Sequence, residues 1–430
     1  MLPLPAIPPA RPLFLVLGIA GGLFCGPATV SGQESGALID ALIRKGILTH
    51  QEAEDIRAEL VRENNTVPSR AMANGKSTDR LSVGMRMQAQ YAYLDSETPG
   101  AAFGPVATNH AFLRRMYLTL KAGVGGNWGV TMTYDFASSG YDDAIIEWKP
   151  TTDLSFNFGL RKVAVGYEER ASSGDLRSIE RSGVTRYFVE PNNGRRLGAA
   201  SYRIGIFLDG KRELNARTGL VYTAAVTNPE RTENFTIASA AGDATNNRPA
   251  YWATFGFNGR IGETGTWLAG VGAGFLPDQG GAGTANLGRG FDLTLQSAFI
   301  DFKTERVNVM AEYLMADVER GASATRDARP AGYFIQTGVF LTPVVEAMLR
   351  FEALDTDGRG LNLADVVRSA PAGATMDRFH GWFTGVNWYL RGNDLKYQLG
   401  LVYGKTKDTP AGAPAEAKAV GVRSQMQMQF

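Results

Sequence analysis

The chain has one cysteine and three histidines in 430 residues. Cys25 lies in an N-terminal segment expected to be removed, so the mature protein carries no thiol and no disulfide. His50, His110 and His380 are scattered, and none has an obvious serine partner, which argues against hydrolytic catalysis by a nucleophile and a histidine base. An excess of charge is also missing. The 44 basic and 43 acidic side chains exclude a general polyanion binder, and no nucleic-acid partner is expected. After the N-terminus no segment approaches twenty consecutive apolar residues, so helical membrane spans are excluded. A barrel stays open, because its strands are about ten residues long and half polar. No metal or cofactor is expected.

The N-terminus reads as a secretory signal over residues 1–32. Arg11 precedes an apolar run from Leu13 to Cys25, and Val30-Ser31-Gly32 forms a small-residue cleavage site. Residues 33–65 carry two short amphipathic helical patterns, Leu38, Ile39, Leu42, Ile43 and then Ala53, Ile56, Leu60. These are expected to be periplasmic, either packed on the end of the β-barrel expected downstream or self-associating. Residues 66–80 are polar, contain Pro68 and Gly75, and read as a linker.

From Leu81 to the end the apolar period is two. Leu81, Val83, Met85, Met87, Ala89, Tyr91 and Tyr93 alternate with Ser82, Gly84, Arg86, Gln88 and Gln90. Similar alternation marks Trp128–Phe136, Leu154–Arg161, Tyr202–Leu208, Leu214–Val226, Tyr251–Ile261, Val307–Met315, Val345–Ala353 and Leu395–Tyr403. About sixteen such segments are expected. Polar loops near 97–109, 228–248, 277–289, 317–330, 356–376 and 408–417 alternate with tight turns such as Gly125-Gly126, Gly262-Glu263 and Gly392-Asn393. The strands are long for a soluble sandwich, and aromatics sit at their ends, including Tyr91, Tyr93, Trp148, Trp267, Trp388 and Tyr403. In a bilayer every backbone group must be paired, so such a sheet must close on itself. The expected fold is all-β: a transmembrane antiparallel barrel of about sixteen strands over residues 81–430, wide enough for an aqueous channel.

The last strand supports this reading. Val420, Val422, Ser424, Met426, Met428 and Phe430 alternate with Gly421, Arg423, Gln425, Gln427 and Gln429. A chain ending on an amphipathic strand with a terminal Phe is expected in a Gram-negative outer-membrane barrel, surrounded by lipid. Phe430 is there expected to serve recognition by the barrel assembly machinery. The strand is expected to close the barrel against Leu81–Asp95, with Arg86 and Arg423 on the pore wall.

Selectivity in a pore resides in the charges at its narrowest point. The stretch Arg161–Arg203 holds nine basic residues against five acidic ones, an excess of four in a nearly neutral chain. Arg161, Lys162, Arg177 and Arg181 belong to it. Its middle does not alternate, so residues near 166–196 read either as a loop folded into the lumen or as a solvated external loop. Asp143 and Asp135 have lumen parity, as ordinary lumen acids or as groups that assist anion release.

The order of G-I-L-T-H-Q-E-A-E (Gly46–Glu54), F-L-R-R-M-Y-L (Phe112–Leu118), T-Y-D-F (Thr133–Phe136), A-S-S-G-D-L-R-S-I-E-R-S (Ala171–Ser182) and R-R-L-G (Arg195–Gly198) resembles the phosphate-selective porin O and P family. The resemblance implies a trimer of sixteen-stranded barrels, with an anion site on an inward loop and passive uptake of phosphate or polyphosphate. It implies anion ligands at Arg114, Arg115 and Tyr117 and a loop pair at Ser172 and Ser173, fed by basic lumen residues such as Lys121. Where family members place a lysine before the Ser-Ser pair, this chain has Glu169-Arg170, so Arg170 has to take over that role. With Met116, Leu118 and Leu120 facing lipid, Arg115, Tyr117 and Lys121 face the lumen. Arg114 faces outward unless a bulge turns it or it lies in a subunit contact. The same fold with weak selectivity, or with preference for another small anion such as a carboxylate, is the alternative.

Overall fold

The computed structural model describes residues 80–97, 106–190, 195–229, 248–277, 291–408 and 416–430. The expected signal, periplasmic helices and linker lie outside them. The wall runs in chain order through β1 (Arg80–Glu97), β2 (Val106–Val124), β3 (Trp128–Asp135), β4 (Gly140–Thr151), β5 (Leu154–Lys162), β6 (Tyr202–Asn215), β7 (Thr218–Thr227) and β8 (Ala250–Ile261). It continues through β9 (Gly265–Leu276), β10 (Leu293–Lys303), β11 (Val307–Ser323), β13 (Ala331–Thr342), β14 (Val345–Asp355), β15 (Arg378–Asn393), β16 (Leu395–Lys407) and β17 (Glu416–Gln429). A short β12 (Arg326–Ala328) only extends the β11–β13 hairpin. Each wall strand pairs antiparallel with its neighbours, and β1 pairs with both β2 and β17. The result is a closed barrel of sixteen strands.

Closure follows the alternation of the terminal strands. Met87 lies opposite Met428 and Gln88 opposite Gln427. Phe430 exchanges both backbone hydrogen bonds with Met85, at 3.0 and 3.1 Å, and its side chain is 74% exposed on the outer face. Inside the seam, Gln88 donates to Gln427 at 2.6 Å, Gln90 to Gln425 at 2.8 Å, and Gln425 to Gln398 at 2.8 Å. Burial is inverted relative to a soluble protein: apolar side chains such as Leu401 and Val271 are exposed, while Gln88, Gln427 and Glu346 are buried. This is what a lipid outer face and a polar interior require. On that outer face Trp148 stacks between Trp128 and Phe156, with ring centres 5.8 and 5.3 Å away.

The tight turns fall at the expected places. Gly125 and Gly126 have φ of +59° and +79°, a conformation that glycine adopts without strain. Three boundaries differ from the sequence expectation. The segment Leu214–Val226 is not one strand, because Asn215 Oδ1 accepts from the Arg217 and Thr218 N–H groups at 2.9 and 3.0 Å and closes a hairpin. The loop expected at 317–330 is largely strand, with β11 running to Ser323. The third is 356–376, which is not an external polar loop: Leu361, Leu363, Val366, Val367 and Met376 are buried in an apolar cluster inside the barrel.

That cluster also takes in Val163, Val165, Val184, Tyr187, Phe188 and Leu197 from the long loop between β5 and β6. It packs on inward apolar residues of the wall, including Phe207, Trp252, Leu314 and Phe379. Three short helices lie in these two loops among the described residues: α1 (Tyr167–Arg170), α2 (Gly183–Phe188) and α3 (Leu363–Val366). Both loops therefore fold inward, and the lumen stays open mainly beside β1–β6.

Candidate functional site

A loop inside a barrel has to satisfy its backbone polar groups without free access to water. The wall supplies the partners. Glu312 on β11 accepts from the Tyr167 and Glu168 N–H groups at 2.6 and 3.0 Å. Glu352 on β14 accepts from Gly183 N–H. Lys396 on β16 donates to the Gly174 and Leu176 carbonyls at 2.7 and 2.9 Å. Gln88 and Gln427 donate to the Ser173 and Gly174 carbonyls at 2.9 and 3.0 Å. These seam amides thus carry the loop and do not line water.

The loop leaves a cavity of about 1190 Å³ whose wall is made chiefly by β1–β6. Arg86, Arg114, Arg115, Tyr117, Lys121, Asp143, Arg161, Lys162, Arg170, Ser172, Ser173 and Arg181 all line it. Two of the expected lumen charges do not. Arg177 is turned toward Asp301, 3.7 Å away, and Arg423 is buried with its guanidinium on the Arg368 carbonyl. Inward parity alone does not reach water where a loop covers the wall.

Arg114 reaches the lumen through a β-bulge. Gln88 pairs with Arg115 and Ala89 with Leu113, so Arg114 is the extra residue. A second bulge, where Thr133 pairs with Asp143 and Tyr134 with Tyr141, adds Asp142 to the cavity lining beside Asp143. Asp135 has a turn role: its carboxylate accepts from Met116 and Ala137 N–H and from the Ser138 hydroxyl, at 2.9 to 3.0 Å.

Arg86 organises the loop pair. Its Nε donates to Gln429 Oε1 at 2.8 Å, NH1 to Ser173 Oγ at 2.9 Å and NH2 to Ser172 Oγ at 2.9 Å. A hydroxyl that accepts from a cation keeps its own proton free to donate elsewhere. A cavity anion is a suitable acceptor. Arg115 donates to Gln88 Oε1 at 2.7 Å, which fixes its guanidinium against the wall.

Three acids of the loop are paired with cations. Glu169 lies 3.1 Å from Lys162 and 2.9 Å from Arg181. Burial alone would raise its pKa, but the Arg181 and Lys162 charges outweigh burial and hold it below the usual range. The Glu169 charge is thereby offset, while Arg170 donates to the Ala164 carbonyl at 3.5 Å. Glu190 meets Arg186, Arg196 and Arg368 at 2.8 to 3.1 Å. Glu180 meets Arg114 and Arg368. Both carboxyls are held well down: burial opposes ionisation, and the surrounding guanidinium charges overcome it.

Arg368 is the lumen cation that sequence reasoning missed. It comes from the stretch 356–376. The available signal was the apolar set Leu361, Leu363, Val366 and Val367 just before it, too oily for a solvated loop.

The depressed carboxyls set a pH expectation. A carboxyl with a folded pKa below its unfolded value of about 4.3 stabilises fully above that value, and the contribution is lost as pH falls through the folded pKa. The loop lock at Glu169, Glu180 and Glu190 should therefore hold unchanged from pH 8 to pH 5 and weaken only in stronger acid. Single-channel conductance measured at pH 7, 5 and 3 checks this. A rise already complete at pH 5 would show that these pairs do not hold the loop.

Residues 81–430 match the family model described as phosphate-selective porin O and P. The chain belongs to this porin family. The porin is an outer-membrane β-barrel of the Gram-negative type. Among solved structures it is similar to the anion-selective porin from Comamonas acidovorans, at 12% identity and a TM-score of 0.54, over 83% of this chain and 100% of that one. It is also similar to the outer membrane channel DcaP of Acinetobacter baumannii, at 14% identity and a TM-score of 0.50, over 84% of this chain and 100% of that one. At these identities the likeness is one of fold. No curated protein sequence matches the porin.

Proposed function

We propose that this porin is an anion-selective channel for passive uptake, with inorganic phosphate or polyphosphate as its preferred solute. The observation that carries the reading is the juxtaposition in one cavity of Arg86, Arg114, Arg115, Lys121 and Arg368 with the Ser172 and Ser173 hydroxyls. Guanidinium forks match phosphate oxygens, and hydroxyls donate short bonds without adding charge. The family description and the anion-selective neighbour from Comamonas point the same way. Single-channel recording in planar bilayers with chloride, phosphate and pyrophosphate tests it. Anion selectivity is expected, with low phosphate blocking the chloride current. Cation selectivity would sink the reading, and an anion current insensitive to phosphate would leave a porin for another anion, such as a carboxylate. Arg115→Ala should lower anion preference more than Arg196→Ala, because Arg196 is already engaged by Glu190. Equal, negligible effects would move the constriction elsewhere.

The proposal includes a homotrimer, expected to close in three equal conductance steps, and export by a cleaved signal. It also gives Phe430 a role in recognition by the assembly machinery. Phe430→Ala keeps both backbone bonds to Met85, so its expected effect is several-fold less porin in the outer membrane rather than an altered channel. An undiminished membrane content would overturn that role.

A further inference from the structure

One carboxylate holds guanidinium N–H groups that a permeating anion would be expected to use. Glu180 lies in the long inward loop between α1 and α2. Arg114 grips it side-on, Nε to Oε1 at 2.7 Å and NH2 to Oε2 at 3.2 Å. This is the two-bond fork with which a guanidinium holds a phosphate or a free carboxylate. Arg368 adds Nε to Oε2 at 2.9 Å, and its NH2 bridges to Glu190 at 3.1 Å. The Arg115 charge also acts on Glu180. Arg114, Arg115 and Arg368 line the cavity, and Glu180 does not. Its backbone is fixed independently, because Arg350 NH1 donates to the Glu180 carbonyl at 2.8 Å.

We infer that Glu180 is a tethered internal anion: it occupies the fork of Arg114 and the Nε of Arg368, which would otherwise close on the permeating anion, and so limits how tightly the channel holds its solute. Conduction needs binding weak enough to release. An unopposed cluster of three guanidinium groups in a narrow, partly desolvated passage would trap a multivalent anion. A carboxylate fixed behind them takes up one fork and one further N–H and offsets part of the field without entering the passage. The same feature explains why two cationic side chains are delivered from different parts of the chain, a wall bulge and an inward loop, onto one acid.

The inference rests on the anion-channel reading, and one set of recordings separates the two. Phosphate block of chloride current is measured for the unchanged porin, Glu180→Gln and Glu180→Asp. Glu180→Gln should lower the half-blocking phosphate concentration by about tenfold, the weight of one hydrogen bond to a charged group. Phosphate current should also saturate earlier. Glu180→Asp keeps the charge and should stay within about twofold of the unchanged porin. Should Glu180→Gln fail to assemble, Glu190→Gln frees the other edge of Arg368 and carries the same expectation and the same refutation. Block that is unchanged or weaker in an anion-selective variant overturns the role of Glu180 alone. A cation-selective unchanged porin overturns the channel reading and this inference together.

Discussion

Replacing Glu312 and Glu352 together by alanine is expected to raise single-channel conductance, add flicker and lower anion preference. Both carboxylates are buried and belong to the wall. Glu312 takes two loop N–H groups and Glu352 a third, so they fix the loop before and after its Ser172-Ser173 segment. A buried N–H left without an acceptor costs about 1–3 kcal/mol. Removing two buried polar carboxyl groups, each costly to keep out of water, offsets part of that. Water entering beside alanine offsets more. A net penalty of roughly 2 kcal/mol is expected, which raises the population of displaced loop about thirtyfold. The rest of the loop is still held by Lys396 and Arg350, so the barrel itself should remain assembled. Recordings at fixed salt check the outcome. Conductance and noise identical to the unchanged porin would mean that the apolar cluster around Tyr187 and Phe188, and not the wall carboxylates, holds the loop in place.

The second large effect is expected from Arg86→Lys. The charge is kept and the fork is lost. All three guanidinium nitrogens of Arg86 are committed, to Gln429, Ser173 and Ser172, and one ammonium cannot span those three oxygens. The serine hydroxyls would lose the contact that orients them. Phosphate block should weaken tenfold or more, on the scale of about 1.5–3 kcal/mol for hydrogen bonds to a charged group. Chloride-over-potassium selectivity should change little, because the net charge of the lumen is unaltered. Block and selectivity both unchanged in Arg86→Lys would mean that Arg86 acts only as a charge. Gly174 makes a related point. A Cβ there would lie 2.3 Å from Gln429 Oε1 and 2.9 Å from Arg86 Nε, so a side chain at this position would push the Gln429–Arg86 pair aside.

How much of this was legible beforehand differs from residue to residue. Arg115, Tyr117 and Lys121 were assigned to the lumen by parity, and they line it. Parity alone did not decide Arg114, whose bulge was one of the alternatives, and it gave no sign of Asp142, because a bulge is a property of the pairing between two strands. It was insufficient at Arg423, which points inward yet is covered by a loop from elsewhere in the chain.

What the sequence determined by itself is the wall. The period of two, the tight glycine turns and the terminal aromatic strand settle which face meets lipid, where strands reverse and how the barrel closes, because those are local and repeat every two residues. What only the tertiary structure decided is the content of the lumen. Arg368 and Glu180 are 188 residues apart in the chain and meet at 2.9 Å. Glu312 and Tyr167 are 145 apart. No periodicity encodes such pairs. They form because an oily loop segment buries itself inside a polar wall, and the charges it carries then have to find partners away from water.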